Sequence, residues 1–394
     1  MYLLEHDAKE LLAHYDVPVP AGTLLADAAK LSAATLPAGP WIVKGQITAG
    51  GRGKAGIIKK AATVQEVGAH AQAILGARVK GRTVESVRVE QQVADASEAY
   101  LGLMVDAAAG GVRIIMAAEG GMEIEALPKD AIRSEVAAPD VASIERCVEK
   151  LAVSFGGAKT QALRDAGTRL ARAFMACEAM LIEINPLFVK ADGSWVAGDA
   201  KFVTDDGALE RQDATRTLLQ SRAAAYPEAA LKLEHGCDYV VVDPAGELGL
   251  LTTGAGLSMM LIDELRAMGL KPYNFLDIRT GGLRGETTRL VKVLKWISEG
   301  PNIKVMLINI FAGITELGEF SRLLVKALAE APELKVPVVA RLVGNGLPAA
   351  REVLGTAGIA VYPDLDEALA EVRSHLNSGE RVSPRNAPSP RFSD

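Results

Sequence analysis

Trp41-Ile-Val-Lys44-Gly45-Gln-Ile-Thr-Ala-Gly50-Gly51-Arg52-Gly53-Lys54-Ala-Gly56 is the stretch around which the rest of the chain is read. A short apolar strand ends in a lysine. It becomes a loop with five glycines and two further cations, and it leaves toward apolar residues at Ile57 and Ile58. Glycines reach φ values that other residues avoid, so backbone N–H groups can turn toward a ligand. Successive N–H groups in such a turn form an anion nest, and fixed Lys and Arg charges complete a phosphate site. Gly51, Gly53 and Gly56 match G-x-G-x-x-G spacing, but the dinucleotide fingerprint needs a helix next and an acidic residue about 20 positions on. Ile57-Ile58-Lys59-Lys60 reads as a second strand, which excludes it. Ala55 after Lys54 excludes a P-loop, which needs Ser or Thr there. Taken alone, the stretch is also compatible with a basic glycine loop that binds nothing.

The chain around it has 394 residues, enough for two or three domains. With 49% apolar and 23% charged residues and a mean hydropathy of +0.16, it can build large cores. A net charge of -6 and a pI near 5.6 leave no basic footprint for nucleic acid. Cys147, Cys177 and Cys237 stand far apart without a C-x-x-C pair. They read as reduced, buried small residues of a cytoplasmic protein, with no zinc-type site. Met1 to Leu12 enters an amphipathic helix directly, with no signal or transit segment. No apolar run reaches the ~20 residues of a membrane span.

Leu3, Leu4, Ala8, Leu11 and Leu12 recur at helical spacing, and Val17-Pro-Val-Pro20 ends that helix in an extended segment. A short helix is expected over Ala28–Leu36, and a longer one from Ala62 through Leu75. Strands are expected at Val84–Gln92, Ala99–Val105 and Val112–Ala117, the last two joined antiparallel by a turn at Asp106–Gly111. Helices follow at Ala142–Leu151 and Gln161–Cys177. Ala179–Val189 reads as a strand interrupted at Asn185-Pro186, with Ser194–Phe202 as its hairpin partner, then a helix over Asp213–Ala225. Beyond about residue 230 strands and helices alternate. That rhythm implies a parallel sheet with helices on both faces. The tail carries three prolines and four serines without an apolar pattern and reads as mobile.

Glu183 and Asn185 lie two apart on the strand, hence on one face, with Ile182 and Ile184 on the other. The hairpin partner brings Asp199. Asn185 and Asp199 supply two hard oxygen donors across neighbouring strands, which suits Mg²⁺. The plainer reading is a polar sheet face with Glu183 and Lys201 as a solvated pair. Glu90, Gln91, Gln92 and Val93 close a strand with acceptors and open backbone, as an adenine site requires, and Glu98 follows. Each glutamate alone is equally well a surface residue. Leu250-Leu-Thr252-Thr253-Gly254-Ala255-Gly256-Leu257 is a strand, a glycine turn and a helix start, where an anion is favoured. Asn309-Ile-Phe311-Ala-Gly313-Ile314-Thr315 ends a later strand with another open loop. Ligands of open parallel sheets bind beyond the carboxyl ends of strands, so both loops are expected to face one cleft. Tight strand–helix packing is the plain alternative for both. His6, His14, His70, His235 and His375 sit in helix or linker contexts, and none has the setting of a covalent centre. No G-x-S-x-G occurs.

Taken together, these motifs resemble the β subunit of ADP-forming succinyl-CoA synthetases and their malate–CoA ligase relatives, from Glu5 to about Ser374. The resemblance rests on Trp41-Ile-Val-Lys, Ala49-Gly-Gly-Arg-Gly-Lys-Ala-Gly, Ala118-Glu-Gly-Gly-Met-Glu-Ile-Glu, Leu181-Ile-Glu-Ile-Asn-Pro-Leu, Gly254-Ala-Gly-Leu, Asn274-Phe-Leu-Asp and Asn309-Ile-Phe-Ala-Gly-Ile. It implies an α+β ATP-grasp domain over 1–230, with a small subdomain at about 20–100. An α/β flavodoxin-like CoA-ligase domain over 231–378 and the tail at 379–394 would follow. By resemblance, Lys44, Gly51, Arg52, Gly53 and Lys54 hold the triphosphate of ATP. Glu90, Val93 and Glu98 bind the nucleoside, and Pro20 near the base favours ATP over GTP. Asn185 and Asp199 hold Mg²⁺, and Glu183 meets a phosphohistidine. That histidine belongs to a partner α subunit, which also carries most of the CoA site. Thr253, Gly313, Ile314 and Thr315 line the site of a small carboxylic acid.

The chain departs from the family pattern at Thr253, where Asn is usual, at Arg279-Thr280-Gly281, at Thr315-Glu316-Leu317 and at Thr48. All but Thr48 fall at the acid end. By the resemblance, Arg279 falls beside the acid site, where an extra Arg would be able to hold a second anionic group by a bidentate bond. The acid is then succinate, malate, a sulfonated acid or another small dianion. Two other readings compete: a single-chain ATP-grasp enzyme, such as a carboxylate–amine ligase or biotin-dependent carboxylase, and a non-catalytic nucleotide-binding scaffold.

Overall fold

The computed structural model describes residues 1–377 except 34–35, 49–50, 80–81, 123, 125–126, 280–284 and 314. The chain forms two compact units, divided between Ala225 and Tyr226. The tail expected to be mobile lies outside the described residues. None of the described helices is long and apolar enough to cross a membrane.

The first unit contains α1 (Glu5–Ala13), β1 (Gly22–Leu25), β2 (Trp41–Gln46), β3 (Ile58–Ala61), α2 (Val64–Ile74), β4 (Arg78–Val79), β5 (Arg82–Thr83) and β6 (Ser86–Gln91). It continues with β7 (Ser97–Asp106), β8 (Gly111–Ala117), β9 (Ile132–Ala137), α3 (Val141–Ala152), α4 (Gly157–Ala176), β10 (Ala179–Val189), β11 (Trp195–Ala197), β12 (Lys201–Thr204) and α5 (Asp213–Ser221). The helix expected over Ala28–Leu36 is a 3-10 segment, Ala28–Ala33. The expected Ser194–Phe202 partner is two strands, broken at Gly198-Asp199. The strands β1, β4, β5 and β9 had no counterpart in the sequence reading.

A four-stranded antiparallel sheet runs β1-β6-β2-β3. Its period-two alternation sorts two kinds of residue. Val43, Val87 and Val89 point into a core with Ile57 and with Val67, Ala71 and Ile74 of α2. Thr63 caps α2, its side chain accepting from Glu66 N. Lys44, Arg88 and Glu90 occupy the alternate positions, with Lys44 directly opposite Arg88. They are buried too, so this sheet has an apolar face and a charged face, both covered.

The larger antiparallel sheet runs β11-β10-β7-β8-β9, with β12 also pairing β10. The expected β7–β8 hairpin is present. Helices α3 and α4 pack on it, and Gly167 lets them approach, since a Cβ there would lie 2.4 Å from Val148. The register of β10 against β7 slips by one between Ile184 and Leu187, a bulge at Asn185-Pro186. Such a bulge re-aims the side chain it carries.

The second unit contains α6 (Pro227–His235), β13 (Asp238–Val241), β14 (Leu248–Thr252), α7 (Ala255–Ala267), β15 (Asn274–Asp277), α8 (Thr288–Ser298) and β16 (Val305–Ala312). It ends with α9 (Leu317–Glu330), β17 (Val338–Gly344), α10 (Leu347–Thr356), β18 (Val361–Tyr362) and α11 (Leu365–Asn377). The parallel sheet runs β14-β16-β17-β18. β14 and most of β16 are buried on both faces, as a parallel sheet requires. Leu251, Met306, Ile308 and Ile310 face α8, α9 and α10, while Leu248, Leu250, Val305 and Leu307 face α7 and α11. One expectation is corrected. β13 and β15 form an antiparallel pair, not two more parallel strands of a regular ladder. The buried Asn274 amide stitches β15 to β14, accepting from Leu250 N (2.9 Å) and donating to Leu250 O (2.8 Å). A side-chain amide thus replaces a peptide in the ladder.

Candidate functional site

Four cations and three carboxylates meet where α1 covers the charged face of the small sheet. Lys9, Lys44, Arg52 and Arg88 come from α1, β2, the glycine loop and β6. Glu5, Glu90 and Asp199 come from α1, β6 and the break between β11 and β12. Glu5 is 2% exposed, Lys44 6% and Arg52 8%. The Lys44 ammonium donates to Glu5 Oε1 (2.8 Å) and the Gly198 carbonyl (2.7 Å), and it lies 2.5 Å from Glu90 Oε1. Arg52 donates to Glu5 Oε2 (2.6 Å) and Asp199 Oδ1 (2.5 Å). Lys9 lies 2.7 Å from Glu5 Oε1, and it donates to Glu90 Oε2 and Gly198 O, both at 2.8 Å. Arg88 Nε reaches Glu90 Oε2 at 2.7 Å.

Gly198 is needed here for steric reasons: a Cβ would lie 2.4 Å from the Phe188 ring and 2.8 Å from Pro186 O. Gly22 is empty for a similar reason, because the Arg88 guanidinium lies over it at 2.7 Å.

The pKa shifts follow from this pairing. Burial works against the charged form of Glu5, yet Arg52, Lys44 and Lys9 outweigh it and hold the carboxyl well below its usual range. Burial likewise opposes the charge on Lys44 and Arg52, and both are nevertheless raised, Lys44 chiefly by Glu5 and Arg52 chiefly by Asp199. Lys9 is pulled down by burial, which its pairing with Glu5 does not fully offset. Burial pushes His6 down to about 4, helped by Arg88 and opposed by Glu10. Its contacts agree with a neutral ring: Nδ1 faces the Arg88 donor at 2.7 Å and Nε2 faces Glu10 at 3.0 Å.

The other residues singled out from sequence fall as follows. Gly51 has φ +87° and is exposed, as are Gly53 and Lys54, on a turn in which Ala55 N donates to Gly51 O. The strand after that turn, β3, pairs antiparallel with β2, in line with the rejection of a dinucleotide fingerprint. Glu90 is not a surface glutamate, whereas Glu98 is exposed and Val93 half-buried. Glu98 sits against the Gly120-Gly121 loop, so close that a Cβ on Gly121 would lie 2.0 Å from its carboxylate.

Glu183 pairs with Lys201 across β10 and β12, and Leu187 with Ala197 across β10 and β11. Continuing either register sets Asn185 opposite Asp199. Asn185 Oδ1 accepts from Gly121 N (2.7 Å), and its amide donates to Met122 O (2.8 Å). Glu183 has Lys201 at 3.7 Å.

In the second unit Thr252 and Asn309 are register partners, so the loops holding Thr253 and Gly313 leave the same edge of adjacent parallel strands. The anion expected at the start of α7 has an internal counterpart: Asp277 Oδ1 accepts from Gly254 N at 2.9 Å. Arg279 adopts φ +49°, and its guanidinium donates to Asp238 at 2.8 Å. Thr315 is half-buried, and Ile314 lies outside the described residues. Cys177 and Cys237 are buried as expected, while Cys147 is only partly so.

Glu5, Lys9, Arg88 and Asp277 were not singled out from sequence. Two signals were present. Glu5 and Lys9 have the i, i+4 spacing of a helical ion pair, and Arg88 and Glu90 alternate with two valines that must be buried. One group of His, Asp and Glu side chains converges closely among the described residues, His6, Asp7 and Glu10. Arg88 and Arg222 already serve it, with Arg222 at 2.6 Å from Asp7.

Sequence comparison places known proteins beside this geometry. The ATP-grasp domain family matches residues 2–189, and the CoA-ligase family matches residues 251–374. The succinate–CoA ligase [ADP-forming] subunit beta of Chloroflexus aurantiacus is 39% identical over 390 residues, covering 95% of this chain and all of that one. The succinate–CoA ligase [GDP-forming] subunit beta of Thermus thermophilus is 37% identical over 385 residues, covering 93% and 97%. The ATP citrate lyase of Methanothrix soehngenii, solved with citrate and coenzyme A, superposes with a TM-score of 0.71 over 92% of this chain and 95% of that one. At 19% identity, that likeness concerns the fold.

Proposed function

The chain belongs to the family of succinate–CoA ligase beta subunits, and from that premise we propose that it is the nucleotide-binding subunit of an ADP-forming acid–CoA ligase. ATP is held by Lys44 and the Gly51–Lys54 loop, with Glu90, Val93 and Glu98 toward the nucleoside. A partner α subunit brings a histidine and most of the CoA site. The γ-phosphoryl group passes to an imidazole nitrogen of the partner as ADP leaves. A carboxylate oxygen of the acid then takes the phosphoryl group and frees the imidazole. The CoA thiolate attacks the acyl carbon and expels phosphate. Phosphoryl transfer of this kind asks mainly for positioning and charge neutralisation. A cytoplasmic location fits this chemistry.

The observation that carries the reading is the imbalance of the buried cluster. Among the described residues, the carboxylates paired with Lys9, Lys44, Arg52 and Arg88 are Glu5, Glu90 and Asp199. Asn185 and Asp199 offer hard oxygens across one register, and the Asp199 side chain keeps 30% of its surface open. That donor set fits Mg²⁺, which takes few protein ligands and keeps waters or phosphate oxygens. When bound there, the ion would neutralise charge on the phosphate chain. With Asp199 engaged by a metal, four cations would face two carboxylates, and a polyphosphate makes up the difference. Glu183, on the same strand face, is assigned to meet the partner's phosphohistidine.

At the acid end, Thr253, Gly313, Ile314 and Thr315 are assigned to the acid, and Arg279 to its second anionic group. Succinate, malate and a sulfonated acid are the candidates. The buried Pro20, whose carbonyl accepts from Arg88 at 2.8 Å, supports adenine as the base only through the family resemblance.

The test is reconstitution with the partner subunit and γ-labelled ATP. Acid-labile label on a partner histidine is expected, and Asp199→Ala is expected to slow labelling by roughly 100-fold or more. Labelling at the wild-type rate in that variant removes the metal assignment. Thioester formation by this chain alone removes the two-chain mechanism.

A further inference from the structure

We infer that Glu5, in the first turn of α1, is a positioning residue for phosphoryl transfer, an inference that rests on the ATP reading above. Among the described residues it is the carboxylate in contact with both Lys44 and Arg52, two of the three cations assigned to the phosphate chain. Its two oxygens divide the work: Oε1 takes Lys44 at 2.8 Å and Lys9 at 2.7 Å, and Oε2 takes Arg52 at 2.6 Å. Lys44 sits on a strand of the small sheet and Arg52 on the glycine loop, so no covalent geometry fixes their separation across that loop. Glu5 does so from a third element. Helix α1 is itself tied down by Leu11 and Leu12 in the core and by the Arg222–Asp7 pair at 2.6 Å.

An ammonium donates three hydrogen bonds, and Glu5, Glu90 and Gly198 O account for three acceptors around Lys44. A phosphate oxygen therefore reaches Lys44 by exchange with one of them. Glu90 has Lys9 and Arg88 to fall back on when it yields. Glu5 then keeps Lys44 and Arg52 in register while the exchange occurs. An ion pair that orients a phosphate-binding lysine acts on the rate of transfer more than on nucleotide affinity.

The experiment compares wild type, Glu5→Gln and Glu5→Asp as full-length chains with the partner subunit. Glu5→Gln is expected to slow single-turnover labelling of the partner by about 10-fold or more at saturating ATP, with adenosine affinity unchanged. A second readout needs no turnover. Acylation of Lys44 by an N-hydroxysuccinimide ester, followed by peptide mass spectrometry, is expected to rise severalfold in Glu5→Gln, because the ammonium loses an anchor and a counter-charge. Wild-type transfer together with unchanged Lys44 reactivity overturns the assignment. So does a loss that extends to adenosine binding, which marks a merely structural role.

Should Glu5→Gln not fold, Glu5→Asp keeps the charge but draws it back by one methylene. It is expected to slow transfer with adenosine affinity intact, and wild-type transfer by that variant overturns the inference equally. Failure of the wild-type pair to label at all is a different result, because it removes the ATP reading before any variant is made.

Discussion

The charged cluster of the first unit and the strand-end loops of the second are built by opposite rules. In the cluster every named charge is held by at least one opposite charge, and most are sealed from water between α1 and the small sheet. At the second unit's loops, Gly313 is exposed and the Arg279 side chain keeps 55% of its surface, with Asp238 as a surface partner. Buried pairs are costly to disturb from one side, because the partner is left charged in a low dielectric. Exposed pairs contribute about 0–1 kcal/mol and are easily exchanged. The first arrangement suits chemistry that stays constant across a family. The second can be rearranged without endangering the fold.

The largest expected effect tests the first half of that contrast. Lys44→Met keeps most of the side chain's length but leaves Glu5 and Glu90 each short of a counter-charge. Unfolding by urea should show a loss of about 3–5 kcal/mol, and ATP binding should vanish in calorimetry. A variant within roughly 1 kcal/mol of wild type, the scale of a surface pair, would make the cluster no different from the exposed pairs of the second unit.

The next effect is a pH dependence confined to the first unit. An unfolded chain protonates His6 near 6.5, whereas the native ring, buried between Arg88 and Glu10, resists until about 4. In that window the unfolded state binds more protons, so stability falls as pH falls. Above 6.5 both states are neutral and His6 contributes no slope. From pH 7 to pH 5 the loss is about 2 kcal/mol. Glu5 acts in the same direction at lower pH, since its depressed carboxyl contributes stability above its ordinary value that is lost as pH falls toward its native one. His6→Asn should flatten the slope between pH 7 and pH 5, measured as urea midpoints of a fragment-specific probe in the first unit. An unchanged slope would show that His6 is not the group responsible.

The same contrast explains what could be read before the structure. Lys44, Arg52 and the glycine loop were legible because their residue types have few other uses in that pattern. Asn185 and Asp199 were legible as a cross-strand pair because the turn at Ala191-Asp192-Gly193 folds the second strand back onto the first, while strand periodicity puts Glu183 on the same face as Asn185. Glu5 and Lys9 were not, because an i, i+4 pair on a first helix reads the same whether the helix faces water or a charged sheet. Burial is decided by the element that covers it, and Val87-Arg88-Val89-Glu90 carries two faces without naming their partners. Periodicity also holds no strand direction, so the antiparallel β13–β15 pair was missed. One of the stitches that tie β15 to the parallel sheet is the amide of Asn274, whose type alone gives no hint of that role.

The smallest effect on stability, and the sharpest on specificity, is expected at Arg279. Its φ of +49° is a conformation glycine adopts at no cost and other residues adopt at about 1 kcal/mol. Arg279→Gly relieves that strain and loses an exposed pair with Asp238 worth a similar amount, so the net change in unfolding free energy should stay within roughly 1 kcal/mol. If the guanidinium leaves Asp238 to hold a second anionic group of the acid, its removal should shift the ratio of kcat/KM between dianionic and monoanionic acids by about 10-fold. ATP affinity should be unaffected, since no residue of the buried charged cluster is touched. Unchanged acid selectivity would return Arg279 to the role its contact with Asp238 already supports, a tether between the loop and β13.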